Sequence, residues 1–271
     1  MNKIVMPFFA VLILGALLHA QTLEEVLALN RQARGGPEKH EPMSRWKMTG
    51  KIVATTQGVE MPMTVWRKRP DKMRVETVLQ DKIIVQAFDG KTAWWIMPFH
   101  SAAAQEMPAE QAGTFAEQAV FVDPFAAGGE KGQALELLGR EEMDGVPVFH
   151  LKRTRADGRK IDHFLDAASG LELKSSRTVK MGESEALAEI LYGDYRPAGG
   201  LVMPFAIENR LDGRTQVRMT FDEIEIDPVM DDAMFAMPGK TDKEEKAGNK
   251  QTPGSKKKHG KKRSPGGKGG K

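Results

Sequence analysis

Two histidines, His150 and His163, fall on separate stretches of alternating residues, close to Asp162 and Asp166. Two imidazoles and a carboxylate that converged could bind zinc or exchange protons with a substrate. No HExxH, GxSxG, phosphate-binding loop or dinucleotide fingerprint accompanies them. Lone strand histidines also read as structural or surface groups, since a catalytic site needs convergent partners. The chain contains no cysteine, which excludes disulfides, thiolate nucleophiles and thiolate metal sites. The residues therefore point to a protein with no catalytic centre, metal or cofactor. The remaining notable side chains are apolar. Met61, Met63, Met97, Met203 and Met219 stand on strand-like stretches, where a flexible thioether can adapt to irregular apolar partners. They and the aromatic residues Trp66, Phe88, Trp94, Trp95, Phe149 and Phe205 read either as core or as the wall of a cavity.

These side chains must be positioned mainly by strands. Thr22-Leu23-Glu24-Glu25 offers a cap and first-turn acids. Leu23, Val26, Leu27 and Leu29 follow at near-helical spacing until Gly35-Gly36-Pro37 stops the run, which predicts one amphipathic helix. After Arg45 the period changes to two, most clearly in Val59 to Val65 and Met73 to Leu79. Further strands are predicted at Lys82 to Phe88, Lys91 to Met97, Val146 to Thr154, Lys160 to Leu165, Leu171 to Val179, Ala186 to Tyr195, Leu201 to Leu211 and Thr215 to Ile226. Pairs such as Asp89-Gly90, Asp144-Gly145, Asp157-Gly158 and Asp212-Gly213 supply residues that tolerate tight hairpin turns. Pro108 to Gln118 reads as a central helical segment. Short strands joined by hairpins, without helical crossovers, imply an antiparallel sheet of consecutive neighbours. Trp94-Trp95-Ile96-Met97 and Leu201 to Ile207 are apolar on both faces, so one face packs a core while the other meets a cavity or a covering helix.

The ends differ from the body. Met1-Asn2-Lys3, the apolar run Ile4 to Leu18 and Leu18-His19-Ala20 have the form of a cleaved secretory signal, residues 1–20. The run is shorter than the roughly 20 residues that span a bilayer, and no cysteine follows it to carry a lipid anchor. The expectation is export to a periplasm. From residue 240 to 271, eleven Lys and one Arg face three acids, a net charge of +9, with no aromatic residue. Such a tail is expected to be disordered. Residues 21–239 are acidic at −7 and form one domain, so the basic whole-chain balance is no sign of specific nucleic-acid binding. Lys256-Lys257-Lys258-His259-Gly260-Lys261-Lys262-Arg263 could attach to an anionic envelope surface or act only as a solubilising tail. A non-carrier interaction module working through this tail is one reading of the chain.

The other reading comes from a resemblance. Trp66-Arg67-Lys68-Arg69-Pro70-Asp71, followed by Asp89-Gly90-Lys91-Thr92-Ala93-Trp94-Trp95-Ile96-Met97-Pro98-Phe99, resembles the W-x-K-R-P and D-G-K-T-x-W-x-x-x-P-F pattern of the LolA family of periplasmic lipoprotein chaperones. Asp144 to Leu151 and Asp194 to Pro204 more loosely resemble segments of longer outer-membrane lipoprotein-sorting proteins. The resemblance implies a mainly β (α+β) fold: a strongly curved, unclosed antiparallel sheet, or half-barrel, whose concave apolar face is covered by an N-terminal helix and a central helical segment. It implies a non-enzymatic, monomeric carrier of lipoprotein acyl chains or related lipids. An inner-membrane release complex would load it and an outer-membrane receptor would unload it. Trp66, Phe88, Trp94, Trp95, Met97, Phe149 and Phe205 become lipid-binding candidates, and Arg69 becomes the arginine that contacts the lid. From the residues alone, Lys68 and Arg69 read as a solvated strand end.

Overall fold

A computed structural model of the chain describes residues 21–36, 38, 43–120, 125, 132–182 and 184–239. The signal-like segment and the Lys-rich tail lie outside these residues. The N-terminal helix α1 (Leu23–Ala33) is followed by β1 (Arg45–Ala54), β2 (Val59–Lys68), β3 (Lys72–Leu79), β4 (Lys82–Phe88), β5 (Ala93–Met97) and β6 (Ser101–Glu106). A second helix, α2 (Ala109–Ala119), precedes β7 (Ala134–Met143), β8 (Val146–Thr154), β9 (Lys160–Asp166) and β10 (Glu172–Met181). The last strands are β11 (Ser184–Ala198), β12 (Leu201–Leu211) and β13 (Arg214–Ile226).

The strands form one curved 13-stranded antiparallel sheet in the order β6-β5-β4-β3-β2-β1-β13-β12-β11-β10-β9-β8-β7. The fold is therefore the unclosed antiparallel sheet with two helices that the sequence implied. The chain runs outward from β1 to one edge at β6, resumes at the opposite edge with β7, and returns until β13 pairs with β1. The predicted turn chemistry is present. Asp144 and Gly145 take φ of 52° and 81°, and Asp212 and Gly213 take 49° and 73°, positive at both central residues as a type I′ hairpin needs. Where β13 bulges opposite Thr49/Gly50, a Cβ on Gly50 would lie 2.0 Å from the Thr220 carbonyl oxygen, so this close approach requires glycine.

The sequence did not disclose β6 and β7, the two edges. Ser101–Glu106 is half Ala and ends in Glu, both poor strand formers, and Ala134–Met143 is rich in Leu and Glu, good helix formers. Each is held as a strand by pairing with one neighbour, β5 and β8 respectively, which outweighs local preference.

Cross-strand register shows which side chains share a face. Paired residues project to the same side, and one such row runs Val75–Val65–Met48–Ile224 across β3, β2, β1 and β13. A second row runs Met219–Ile207–Tyr192 across β13, β12 and β11. Continuing along β11, Ile190, Ser175, His163, Leu151 and Leu137 carry the same face to β7. Both helices cover this inner face. Phe115, Ala119, Ala112 and Ala116 of α2 join a cluster with Met43, Met63, Val65, Met73, Phe88, Met203, Phe205 and Phe221. Val26, Leu23, Leu27 and Leu29 of α1 pack with Phe149, Leu151, Leu165 and Leu137. A third, smaller cluster of Val85, Ala87 and Trp94 occupies the outer face, packed against Ile96, Ala104 and Met237.

Candidate functional site

The two covering helices are held in different ways. Helix α1 begins with a reciprocal capping box, in which the Thr22 hydroxyl accepts from the Glu25 amide and the Glu25 side chain accepts from the Thr22 amide. Val26 and Asn30 on its inner side are fully buried, and Asn30 Nδ2 donates to the Gly170 carbonyl at 2.8 Å. Gly170, at φ 78°, lies so close to α1 that a Cβ would sit 2.6 Å from Leu29 Cγ. Beyond the helix, the Val202 amide donates to the Arg34 carbonyl. Helix α1 is a fixed plug over β7–β9.

Helix α2 has weaker local support. Pro108 stands at its N-cap without a side-chain capping bond, and Gly113 occupies its interior. An interior glycine costs roughly 1 kcal/mol relative to alanine. Its apolar stripe, Ala112-Phe115-Ala116-Ala119, follows the helical repeat but contains one large side chain. A helix of 11 residues with this composition depends on its tertiary contacts. Two polar ties supplement the stripe. Arg67 of β2 reaches the C-terminal end, where its Nη2 donates to the carbonyls of Gln118 at 2.6 Å and Val120 at 3.1 Å. Its guanidinium lies 5.5 Å from the centre of the Trp46 ring. Burial pushes the Arg67 pKa down to about 10, so it stays charged at neutral pH and complements the negative end of the helix. The second tie is Glu117, whose carboxylate meets Arg159 Nη1 at 2.7 Å. This ion pair holds the Glu117 carboxyl below its ordinary pKa.

Under α2 the inner face is apolar and adaptable. Met43, Met63, Met73 and Met203 are buried there with Phe88, Phe205 and Phe221, and Trp95, Met48 and Met219 pack at its margin. The face remains partly open to solvent farther along, where Ile190 of β11 is 37% exposed. Such a surface can adapt to chains of different shape, because thioethers reorient at little cost.

The residues predicted from the sequence are distributed over three places. Phe88, Trp95 and Phe205 come together beneath α2, and Met97 ends β5 two residues beyond Trp95 on the same alternation. Phe149 also faces inward but is 1% exposed beneath α1, with Arg140 over its ring. Trp66 and Trp94 lie on the outer face. Trp66 pairs with Lys47 and Arg74. Trp94 is fully buried, with Nε1 donating to the Phe235 carbonyl at 2.8 Å. The second apolar side of the Trp94 strand is thus covered by the segment after β13, a role that sequence reasoning left unassigned.

Arg69 Nε donates to the Met43 carbonyl at 2.7 Å beside the start of β1. Arg67, two residues earlier, reaches the C-terminal end of α2. Period-two alternation from Met63 and Val65 places Arg67 on the inner face, and that was the signal available in the sequence.

His150 and His163 project to opposite faces, because β8 pairs His150 with Phe164 and Leu151 with His163. His150 stacks on Phe164 and bonds Asp162 through Nε2, while His163 is buried with Nδ1 at 2.6 Å from Glu172. The pair cannot converge on one ion. Among the described residues, no group of three His, Asp or Glu side chains is placed to hold a metal. Nor is any helix among them long and apolar enough to cross a membrane.

No protein-family model and no curated protein sequence matches the chain. Solved structures do. A domain from Vibrio parahaemolyticus described as outer membrane lipoprotein-sorting superposes with a TM-score of 0.54 at 13% identity, over 78% of this chain and 96% of its own. A DUF1329 family protein from Desulfovibrio piger gives 0.55 at 11% identity, over 79% and 96%. A LolA superfamily protein from Nitrosomonas europaea gives 0.53 at 15% identity, over 80% and 98%. One continuous unclosed antiparallel sheet with both helices on its inner face, superposing on these structures over nearly their whole length, is a LolA-like fold, and this chain has it.

Proposed function

We propose that the protein is a non-enzymatic periplasmic carrier that takes acyl chains of lipoproteins or related lipids onto the inner face beneath α2 and delivers them toward the outer membrane. The observation that carries this reading is the combination of a methionine- and aromatic-lined inner face with a covering helix of low intrinsic stability. Lifting α2 exposes one Phe and three Ala side chains. A fully buried Phe is worth about 1.5–3 kcal/mol, and each acyl methylene taken out of water about 0.8 kcal/mol. With the three Ala methyls and the Arg67 tie included, about ten methylenes offset what the lid contributes, fewer than a full-length acyl chain carries. Phe88, Trp95, Phe205 and Met97 are the residues assigned to cargo, and Arg67 and Glu117 hold the lid when the face is empty.

The reading is supported by the fold shared with a domain described as outer membrane lipoprotein-sorting. An inner-membrane release complex and an outer-membrane receptor are the partners it implies. Native mass spectrometry of the protein purified from an envelope fraction, followed by lipid extraction, is the test. Acyl-bearing cargo is expected on the wild type and greatly reduced on Trp95→Asp. A wild type that is consistently empty, and that takes up neither lipid nor lipopeptide when offered them, removes the carrier reading.

A further inference from the structure

At one border of the inner face lies a group of arginines that binding acyl chains does not require. Arg153 stands on the inner face of β8, since it pairs with Leu135 and Ile161, and Leu135 packs beneath α1. Arg155 and Arg159 close the β8–β9 hairpin, the Arg155 amide donating to the Arg159 carbonyl at 2.8 Å. Arg177 of β10 pairs with Ala188, beside half-exposed Ile190. The Glu117 carboxylate of α2 sits among them, 2.7 Å from Arg159 Nη1 and 3.9 Å from Arg177 Nη1. Asp157 orients Arg159 by accepting from its Nε at 2.8 Å. The positive field of Arg159, Arg177 and Arg155 favours the ionised form of Glu117. Glu117 is thus an exposed lid carboxylate occupying a cluster of guanidinium groups at the edge of an apolar surface.

Guanidinium groups match phosphate geometry with paired N–H donors better than an ammonium does. We propose that this cluster receives the phosphate of an anionic acyl lipid whose chains lie on the inner face, and that Glu117 is the resident counter-ion which the phosphate displaces. Displacement of Glu117 removes one of the two polar ties on α2. Headgroup recognition and lid release are then one event, so the lid opens more readily for an amphiphile carrying both parts. This inference rests on the carrier reading and adds the headgroup class.

The test uses the full mature chain, delipidated, with dioctanoyl phosphatidic acid, dioctanoylglycerol and inorganic phosphate as probes. Binding is read by native mass spectrometry and by displacement of a fluorescent acyl probe. Phosphatidic acid is expected to bind at least tenfold more tightly than dioctanoylglycerol, which has the same chains and no phosphate. The double variant Arg159→Gln/Arg177→Gln should lose that preference and, with the Glu117 tie on the lid gone, bind dioctanoylglycerol at least as tightly as wild type. Glu117→Gln should bind phosphatidic acid several-fold more tightly, a gain that misfolding cannot produce. Equal affinity for the two lipids, or a preference that survives in the double variant, overturns the proposal. Inorganic phosphate binding as tightly as phosphatidic acid also overturns it, assigning a free-anion site instead. Failure of both lipids to bind sinks the carrier reading itself, whereas chain binding without charge preference sinks only this inference.

Discussion

Replacing Arg67 by Leu removes the charged group at the end of α2 while keeping an apolar side chain on the inner face. The guanidinium donates to two carbonyls, at 2.6 and 3.1 Å, and lies over Trp46. A hydrogen bond from a charged donor contributes about 1.5–3 kcal/mol, and a cation–π contact about 0.5 kcal/mol at the surface to about 2 kcal/mol when desolvated. These come from one group and do not add in full, and Leu recovers part of the loss by packing. A net loss of about 2–3 kcal/mol from the closed lid is expected, which is roughly a 30- to 150-fold rise in its open population at tenfold per 1.4 kcal/mol. Amide hydrogen exchange near neutral pH, where Arg67 is charged, reads this directly. Amides of Ala109–Ala119 should exchange faster by that factor, while those of β1, β2 and β13 change little. Arg67→Lys should fall between, because an ammonium supplies charge without a planar fork. Unchanged exchange in α2 would refute the latch. Equal loosening of α2 and the central strands would show instead that Arg67 supports the sheet as a whole.

Trp94→Phe should cost about 1 kcal/mol in a denaturant or thermal melt by orphaning the Phe235 carbonyl. It should leave acyl-probe uptake unchanged, whereas Trp95→Ala should reduce uptake. The reverse pattern would assign cargo to the outer face. Gly170→Ala forces a Cβ to 2.6 Å from Leu29 Cγ at a positive φ. It should lower stability by about 1–3 kcal/mol and expose α1 amides to exchange before those of α2; a melt within error of wild type would show that α1 is not pinned there. The Glu117 pKa is depressed in the folded state by Arg159, so its tie on α2 is complete above the ordinary value of 4.5 and is lost as pH falls through the depressed one. Asp157, held at about 2 by its hydrogen bonds with Arg159, is still ionised at the upper end of that window. Exchange from α2, corrected for intrinsic rates, should therefore accelerate on acidification below the usual carboxylate range. Glu117→Gln should lack that step, and an identical pH profile in the variant would count against the tie.

Much of the architecture was legible in the residues. Alternation in Val59 to Val65 and Met73 to Leu79, and Asp-Gly pairs at the hairpins, are local signals that need no knowledge of the neighbours. The same holds for the Thr22 cap and the first-turn acids of α1. The two-sided apolarity of Trp94-Trp95 correctly marked a strand covered on both sides, but alternation alone does not say which side is inner. Trp66 and Trp94 were grouped with Trp95 because aromatic character carries no label of face. Arg67, the more buried functional candidate, stood in plain view beside the motif arginine Arg69.

The sequence by itself determined the class of fold, the period of each central strand, the tight turns and the absence of thiol chemistry, because each depends on residues within a few positions of one another. Only the tertiary structure decided that β6 and β7 are strands, since pairing with β5 and β8 overrides their local preferences. It likewise placed Trp94 beneath Phe235, Arg67 on the end of α2, and Glu117 among Arg155, Arg159 and Arg177. Those contacts join residues tens of positions apart, and register together with sheet curvature, rather than composition, brings them into reach.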